Sequence, residues 1–210
     1  MTRVLIADDH EIVRRGLKDL LADAFSELKV GEARTSQETL DLAVRQDWDI
    51  VLLDINMPGR SGLEVLDDLK RLRPSVPVLV LSASSEQDYA VRVLKLGASG
   101  YLTKQSASDE LLAAIRKSLA GGKYVTATLA ENLAAHLSGV APDAPHEALS
   151  NRELQVLRLI ASGKTVKEIA AELSLSEKTI GTYRTRISEK LRLATNVELT
   201  RYALQHKLAD

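Results

Sequence analysis

The chain has no cysteine, few aromatic residues and no long apolar run. Without cysteine among its 210 residues it can form neither disulfides nor thiolate metal sites, which suits a reducing compartment. Because aromatic residues make up only 3% of the sequence, the core must be built from Val, Leu, Ile and Ala. No stretch approaches the roughly 20 apolar residues of a membrane span, and the N-terminal apolar run is too short for a secretory signal. We therefore expect a cytoplasmic protein with no membrane contact.

The chain also lacks a strong excess of either charge, but its charges are unevenly distributed. The whole sequence has a net charge of −1. Residues 150–210 contain 11 Lys and Arg against 7 Asp and Glu, a net of +4, whereas residues 1–149 contain 17 against 22, a net of −5. This division indicates two domains with different partners, although a net of +4 over such a length also arises by chance.

Short apolar runs alternate with helical patterns in the first half of the chain. The runs are nearly continuous, as is typical of parallel strands buried on both faces. They cover residues 4–7, 28–33, 50–53, 76–81 and 101–102. A helical pattern follows each run, and Ser61-x-x-Glu64 predicts a capping box at the start of the third helix. The order βαβαβαβαβα predicts an α/β fold with a doubly wound, five-stranded parallel sheet and right-handed crossovers.

The remainder of the chain contains helical patterns only. Gly121-Gly122 ends the α/β unit, a connecting helix is predicted over 126–137, and residues 138–147 have the composition of a linker. We therefore expect a first domain over residues 1–122, a connecting helix and linker over 123–147, and a small all-α domain over 148–210.

Start and stop signals divide the last domain into four helices. Capping boxes are predicted at Ser150, Thr165 and Thr195, with a further N-cap at Ser176. Gly163 stands where the first of these helices should end.

Polar residues follow four of the predicted strands, at the point where each strand ends. They are Asp8, Asp9, Asp54, Ser82 and Lys104. An Asp after a strand is more often a turn former or helix cap, and a Lys there is more often a solvated charge. Ligands of open parallel sheets, however, bind beyond the carboxyl ends of the strands, and all five residues share that edge. Their combination indicates a functional site.

Three carboxylates beside an ammonium and a hydroxyl indicate phosphoryl chemistry. Clustered carboxylates raise one another's pKa unless a cation is present, and oxygen ligands of this kind favour Mg²⁺. Lys104 and Ser82 can then contact an anion bound next to the metal. An Asp that faces both Mg²⁺ and an anion pocket is the arrangement needed for an aspartyl-phosphate.

The motifs at this edge resemble the receiver domain of two-component response regulators. They are Asp8-Asp9, Asp54-x-x-Met57-Pro58-x-x-x-Gly62, Ser82-Ala83 and Gly100-Tyr101-Leu102-x-Lys104. The resemblance covers roughly residues 1–120 and implies a flavodoxin-like receiver in which Asp54 accepts phosphate from a sensor histidine kinase. One departure is Gln105, which stands where many receivers have Pro.

The resemblance also implies a role for each residue of the pocket. The Mg²⁺ would be held by Asp9, Asp54 and the backbone carbonyl of Asn56, and through water by Asp8. The phosphoryl group would be contacted by Ser82 and Lys104, with Tyr101 as the aromatic that changes rotamer with them. Without the family, Tyr101 reads equally well as a half-exposed strand aromatic.

The pattern over residues 150–193 predicts helices, two of which, residues 166–173 and 176–191, are joined by a tight turn. This geometry places the second helix of the pair in a DNA major groove. At ~100° per residue, Ile180, Ile187 and Leu191 of that helix fall within about 20° of one direction, so we expect them in the core. The other face carries Lys178, Thr182, Thr185 and Glu189, flanked by Arg186 and Gly181, with Tyr183 and Arg184 at its borders. Such a face can contact bases and phosphates, but it is also typical of an ordinary solvated helix.

Motifs along these helices resemble the LuxR-type helix-turn-helix. They are Leu149-Ser150-x-Arg152-Glu153-x-x-Val156-Leu157, Ala161-x-Gly163-x-x-x-Lys167-Glu168-Ile169-Ala170, Leu173-x-Leu175-Ser176-x-x-Thr179-Ile180 and Lys190-Leu191. Together with a receiver, they identify the chain as a member of the NarL/FixJ class over nearly its whole length. The class implies DNA binding as a homodimer, with residues 195–205 supplying much of the C-terminal contact.

The chain departs from this class in the second helix of the pair. Gly181-Thr182-Tyr183 stands where Lys-x-His is usual, and Val166 stands where Asn is common. The residues predicted to contact DNA are Lys178, Thr179, Thr182, Tyr183, Arg184, Thr185, Arg186 and Lys190. Of these, Lys178, Thr182 and Thr185 are placed near bases, and Tyr183, Arg184, Arg186 and Lys190 nearer phosphates.

Two other functions fit part of the pattern. A dehalogenase-like phosphatase also uses an Asp nucleophile and Mg²⁺, but it needs a second Asp two residues on, where this chain has Asn56. A regulator controlled by a protein partner would need neither Asp54 nor Lys104, and both are present. We therefore predict a phosphorylation-controlled transcriptional regulator that is not an enzyme, with the partner-controlled regulator as the alternative.

Overall fold

The computed structural model describes residues 1–57, 60–82, 86–127, 129–131, 145–173, 175–206 and 208–209. The chain divides into two compact units, Met1–Ala134 and Ala135–Asp210. Within the described ranges, no helix is both long and apolar enough to cross a membrane.

The first unit is a five-stranded parallel sheet with helices between consecutive strands. The strands are β1 (Thr2–Ala7), β2 (Leu28–Ala33), β3 (Ile50–Asp54), β4 (Val78–Ser82) and β5 (Gly100–Thr103). The helices are α1 (Glu11–Ala24), α2 (Ser36–Arg45), α3 (Gly62–Leu72), α4 (Glu86–Lys95) and α5 (Ser108–Leu119). The strand order β2-β1-β3-β4-β5 confirms the doubly wound, flavodoxin-like fold predicted from the sequence.

Aliphatic side chains of the three central strands form the core of this unit. Every residue of β3 and β4 is buried, as expected of strands covered by helices on both faces. The parallel register places Asp54 opposite Leu81 and Ser82 opposite Thr103. The ends of β3, β4 and β5 therefore step along one edge of the sheet, and the polar residues that follow the strands are brought to that edge.

Some local predictions about this unit differ from the structure. Strand β4 begins at Val78, two residues later than the apolar run suggests, because Pro77 has no N–H to donate to a ladder. The apolar side chains of Ile12, Val44 and Leu72 belong to helical patterns but are exposed.

The capping box predicted at Ser61 is wrong. Helix α3 begins after Ser61 as expected, but the Ser61 side chain accepts no capping hydrogen bond. Instead, the first amide N–H of the helix, that of Gly62, donates to the backbone carbonyl of Ile55 at 3.3 Å. The Glu64 carboxylate lies 3.9 Å from the Arg60 guanidinium rather than against the N-cap amide.

In its described residues, the second unit contains a short 3₁₀ helix and four α-helices. The 3₁₀ helix is Pro145–Ala148, and the α-helices are α6 (Asn151–Ala161), α7 (Val166–Glu172), α8 (Glu177–Leu191) and α9 (Asn196–Gln205). The predicted capping boxes at Ser150, Thr165 and Thr195 and the N-cap at Ser176 are all confirmed. Gly163 lies just beyond α6 with a φ of +83°, a left-handed conformation that favours glycine.

The predicted connecting helix and linker fall mostly outside the described residues. Residues 127 and 129–131 are helical, whereas residues 132–144 are not described. The domain boundaries expected at residues 122 and 147 therefore stay predictions.

Candidate functional site

The acidic pocket lies beyond the carboxyl ends of β1, β3, β4 and β5. Asp54 is the last residue of β3, and its side chain is fully buried. Asp8 follows β1 and is also buried. The Lys104 ammonium, reaching in from the end of β5, lies 2.7 Å from Asp54 Oδ2 and 2.7 Å from Asp8 Oδ2. The structure thus brings these three predicted site residues into direct contact.

Asn56 and Ser82 complete the inner wall of the pocket. The Asn56 backbone N–H donates to Asp54 Oδ1 at 2.9 Å, and the Asn56 side-chain amide donates to Ser82 Oγ at 3.2 Å. Ser82 is fully buried at the end of β4. The predicted use of the Asn56 backbone carbonyl as a metal ligand stays a prediction.

Burial and charge act in opposite directions on the two central groups. Burial raises the pKa of Asp54 above its usual range, and the hydrogen bonds from Lys104 and from the Asn56 amide only partly oppose this. Burial alone would lower the pKa of Lys104, but hydrogen bonds to Asp54 and Asp8 and their charges raise it. Lys104 therefore stays protonated at neutral pH, beside a carboxylate that has lost most of its hydration.

A buried arginine supports the pocket from behind. The Arg14 side chain on α1 is only 2% exposed. Its guanidinium donates to the backbone carbonyl of Asp8 at 2.9 Å and to Glu32 Oε2 at 3.1 Å. Glu32, on β2, is also paired with Lys18, and the hydrogen bonds from Lys18 and Arg14 lower its pKa. This network fixes the backbone at the end of β1, directly at the Asp8-Asp9 pair.

Close packing explains the glycine of the Asp54 motif. A Cβ atom on Gly62 would lie 2.2 Å from the Cα of Ile55, the residue that follows Asp54. Any other residue at 62 would push the loop after β3 away from α3, so glycine is required for this approach.

The structure decides between two readings of Tyr101 and adds His10 to the pocket. Tyr101 on β5 is fully buried, which excludes the alternative of a half-exposed strand aromatic. His10, which the sequence analysis did not select, lies with Nδ1 2.8 Å from Asp9 Oδ1 and 3.2 Å from Asp8 Oδ1. The only sequence feature that points to His10 is its position directly after the Asp8-Asp9 pair.

The donor set of the pocket fits a divalent cation. One ligand atom from each of Asp8, Asp9, His10 and Asp54 lies within 4.8 Å of the others. Hard carboxylate oxygens at this spacing suit Mg²⁺ or a similar ion.

The outer face of α8 is polar, as the helical angles predict. Ile180, Ile187 and Leu191 are buried in the unit's core. The exposed residues include Lys178, Thr182, Thr185 and Arg186, whereas Thr179, Tyr183 and Arg184 are partly buried. The Thr182 and Thr185 hydroxyls each donate to the helix carbonyl four residues earlier, at 3.1 Å in both cases. Arg184 Nε is shielded from solvent and forms no hydrogen bond with the described residues.

Lys190 lies at the end of α8 and is bound inside the unit. Its ammonium donates to Glu153 Oε2 at 2.6 Å and to the backbone carbonyl of Ala148 at 3.1 Å. Glu153 is almost fully buried on α6 and is also the carboxylate of the Ser150 capping box. The predicted phosphate contact of Lys190 stays untested, but this geometry supplies a structural reason for the residue.

The fold and the pocket of the first unit define a receiver domain, and the four helices of the second define a helix-turn-helix domain. Comparison with known families agrees. The model described as "Response regulator receiver domain" matches residues 4–116, and that described as "Bacterial regulatory proteins, luxR family" matches residues 147–203. The chain belongs to the two-component response regulators of the NarL/FixJ class.

Curated relatives match over the whole length of the chain. Response regulator GacA of Pseudomonas aeruginosa is 39% identical over 213 aligned positions, which cover 100% of this chain and 99% of GacA. Response regulator UvrY of Escherichia coli is 37% identical over 213 positions, which cover 100% of this chain and 97% of UvrY.

A solved structure of RcsB from Salmonella enterica serovar Typhimurium, bound to promoter rprA in the presence of phosphomimetic BeF₃⁻, has a TM-score of 0.66 and 29% identity. The match covers 96% of this chain and 97% of that one. As a member of this family, the protein is a phosphorylation-controlled transcriptional regulator, and these matches do not favour the partner-controlled alternative.

Proposed function

We propose that Asp54 is the single phosphoacceptor, that a sensor histidine kinase supplies the phosphoryl group, and that phosphorylation promotes dimerisation and DNA binding by the second unit. The observation that carries this proposal is the position of Asp54. Its buried carboxylate lies between the Lys104 ammonium and the Asn56 amide, beside Asp8, at the ligand-binding edge of the sheet.

The proposed reaction moves a phosphoryl group from a phosphohistidine to the Asp54 carboxylate. A carboxylate oxygen forms the new P–O bond, the P–N bond breaks, and its electron pair returns to the imidazole of the kinase. Lys104 holds one phosphoryl oxygen as a point charge, and the Ser82 hydroxyl donates to another. A Mg²⁺ ion held by Asp9, Asp54 and the Asn56 carbonyl, with Asp8 through water, would neutralise phosphoryl charge when bound.

Phosphorylation then changes the surface of the first unit, because residues of the pocket leave their present hydrogen-bond partners. Ser82 must turn from the Asn56 amide toward the phosphoryl group, and Lys104 must leave Asp8. Tyr101, on β5 three residues before Lys104, is the aromatic whose rotamer follows this movement. These three residues connect the pocket with α4, β5 and α5.

DNA contact is assigned to the outer face of α8. Lys178, Thr182 and Thr185 are exposed there and stay the candidates for base contact. Tyr183, Arg184, Arg186 and Lys190 stay the candidates nearer phosphates, with Lys190 the weakest because its ammonium is held by Glu153. Thr179 stays a candidate DNA contact. RcsB is described as bound to a promoter, which supports DNA binding by this chain. The proposal extends to a homodimer that works in the cytoplasm.

The chain acts on no separate substrate in this proposal, because the phosphoryl group stays on its own side chain. A phosphatase of the dehalogenase type would use a general acid two residues after Asp54. Asn56 occupies that position and donates hydrogen bonds to Asp54 and Ser82 instead.

The test is phosphorylation by acetyl phosphate with Mg²⁺, followed by intact-mass measurement. We expect the wild-type chain to gain one phosphoryl group and Asp54→Asn to gain none. The matched control is Asp49→Asn, which changes the carboxylate just before the same strand, where Asp49 pairs with Arg3. A phosphoryl group added to Asp54→Asn at the wild-type rate would overturn the assignment, and an unphosphorylated wild type would favour the partner-controlled regulator.

A further inference from the structure

His10 lies at the rim of the acidic pocket, at the N-cap of α1. Its backbone N–H donates to Asp8 Oδ1 at 2.8 Å, which holds the residue beside the carboxylates. The side chain is 62% exposed and makes no capping hydrogen bond with the helix. The imidazole therefore has no evident role in stabilising α1.

The contact between His10 and Asp9 is not a hydrogen bond. Asp9 Oδ1 is shielded from solvent and receives no hydrogen bond from the described residues. His10 Nδ1 lies only 2.8 Å away, outside hydrogen-bonding geometry. His10 Nδ1 also forms a hydrogen bond with Asp8 Oδ1 at 3.2 Å. When a cation displaces the proton of that bond, Nδ1 and Asp9 Oδ1 can both direct a lone pair to the ion, as metal ligands do.

The spacing of these atoms fits adjacent ligands of one octahedral ion. Ligands about 2.1 Å from such an ion lie roughly 3.0 Å from each neighbouring ligand. His10 Nδ1 lies 2.8 Å from Asp9 Oδ1, close to this value. Asp54 supplies a further oxygen within 4.8 Å.

We infer that His10 is an additional ligand of the pocket and that it gives first-row transition-metal cations an advantage over Mg²⁺. Imidazole nitrogen suits transition metals, whereas Mg²⁺ takes oxygen ligands and retains its waters. A site that adds the His10 imidazole to its oxygen ligands therefore holds an ion such as Mn²⁺ more tightly than the oxygen ligands alone. This inference rests on the proposed function only in requiring that the pocket bind a divalent cation.

Pulsed electron paramagnetic resonance of the full chain with Mn²⁺ tests the ligand directly. We expect ¹⁴N coupling from a directly bound imidazole in the wild type and its loss in His10→Gln. The matched control is His206→Gln, which removes an exposed imidazole from the second unit and should keep the coupling. A wild-type spectrum without ¹⁴N coupling, or coupling that persists in His10→Gln, would overturn the inference.

Calorimetric titration with Mn²⁺ and Mg²⁺ gives a second measure. In His10→Gln the ratio of Mn²⁺ to Mg²⁺ affinity should fall by about 10-fold or more, the scale typical of losing a residue that supports a metal site. An unchanged ratio contradicts the inference. If His10→Gln does not fold, wild-type protein labelled with ¹⁵N-histidine decides, because the nitrogen coupling must then change from the ¹⁴N to the ¹⁵N pattern.

The same samples separate this inference from the proposed function. Mn²⁺ binding without nitrogen coupling, in a chain that still gains its phosphoryl group at Asp54, removes His10 from the site and leaves the proposed function intact. Nitrogen coupling in a chain that acetyl phosphate cannot phosphorylate supports His10 as a ligand and overturns the role of Asp54.

Discussion

At the scale of single residues, Gly181 is the clearest departure from the class, and no contact with the described residues requires it. A Cβ atom added at this position meets no atom within 4 Å. A glycine inside a helix costs roughly 1 kcal/mol relative to alanine. The two remaining explanations are close approach of the α8 backbone to DNA and simple tolerance at a surface position.

Replacing Gly181 separates these explanations. Gly181→Ala should raise the free energy of unfolding by about 1 kcal/mol, measured by urea denaturation. Gly181→Lys should strengthen non-specific DNA binding and steepen its salt dependence by about one phosphate contact. If the glycine permits close approach, Gly181→Lys also weakens binding to the chain's own site. If Gly181→Lys still prefers that site over random DNA as strongly as the wild type does, the glycine is only tolerated at a surface position.

The ion pair between Glu153 and Lys190 predicts how stability depends on pH. Burial raises the pKa of Glu153, but the hydrogen bonds from Lys190 and Ser150 outweigh burial and lower it below its usual range. A carboxyl group whose pKa is lowered by folding stabilises the protein above its unfolded pKa. This contribution should therefore disappear as the pH falls below about 4, through the lowered folded value.

Lys190→Met should destabilise the chain by about 2 kcal/mol at pH 7, because it leaves the Glu153 carboxylate buried without its cation. The figure is below that of a fully buried pair because the Lys190 side chain is 39% exposed. Lys178→Met on the same helix is the control, since Lys178 makes no ion pair with the described residues. Equal unfolding midpoints for the two variants in urea would show that the pair contributes nothing.

The contacts between individual side chains of the site could not all be predicted from the sequence. Strand order and motif spacing placed Asp8, Asp54 and Lys104 at one edge, and the structure brings them into contact. The support from Arg14 to the Asp8 carbonyl depends on how α1 packs on β1 and β2. No local pattern contains that information, because the two ends of such a contact are fixed by tertiary packing.

At the scale of whole helices and strands, capping signals in the sequence predicted where the helices of the second unit begin. Three predicted capping boxes form in the second unit, at Ser150, Thr165 and Thr195. The fourth does not form at α3, where the Ser61 side chain accepts no capping hydrogen bond and the first helix amide, that of Gly62, donates to the Ile55 carbonyl. Helix α3 therefore begins on a backbone contact with the loop after β3, next to the acidic pocket, and not on its local capping signal.

Matched serine and threonine variants test this difference. Thr165→Ala should cost about 1 kcal/mol in the free energy of unfolding, because the Glu168 amide loses its capping oxygen. Ser61→Ala should cost less than about 0.5 kcal/mol, since no cap is lost there. Chemical denaturation of both variants measures the two values. A larger loss for Ser61→Ala would mean that the buried hydroxyl has a role other than capping.

At the scale of the whole molecule, phosphorylation should change the association state and, through it, the affinity for DNA. Coupling between two sites typically amounts to ~1–3 kcal/mol, or about 5–150-fold in affinity. We expect sedimentation of the full chain with beryllium fluoride to show more dimer than without it, and anisotropy titrations on genome-selected DNA to show tighter binding. Asp54→Asn is the control and should not respond. Equal dimerisation and equal affinity for DNA with and without beryllium fluoride would show that phosphorylation does not control either property.

The chain order of the pocket has a consequence for biosynthesis. Its residues lie at positions 8, 54, 82 and 104, at the ends of four strands that pair only with distant segments. Long-range parallel pairing forms slowly because loop closure must precede it, so the pocket is absent until the strands from β1 to β5 have assembled. A nascent, truncated or misfolded chain thus has no site to modify. Only a chain whose receiver domain has folded completely can accept a phosphoryl group. Phosphorylation by the kinase is therefore restricted to fully folded molecules.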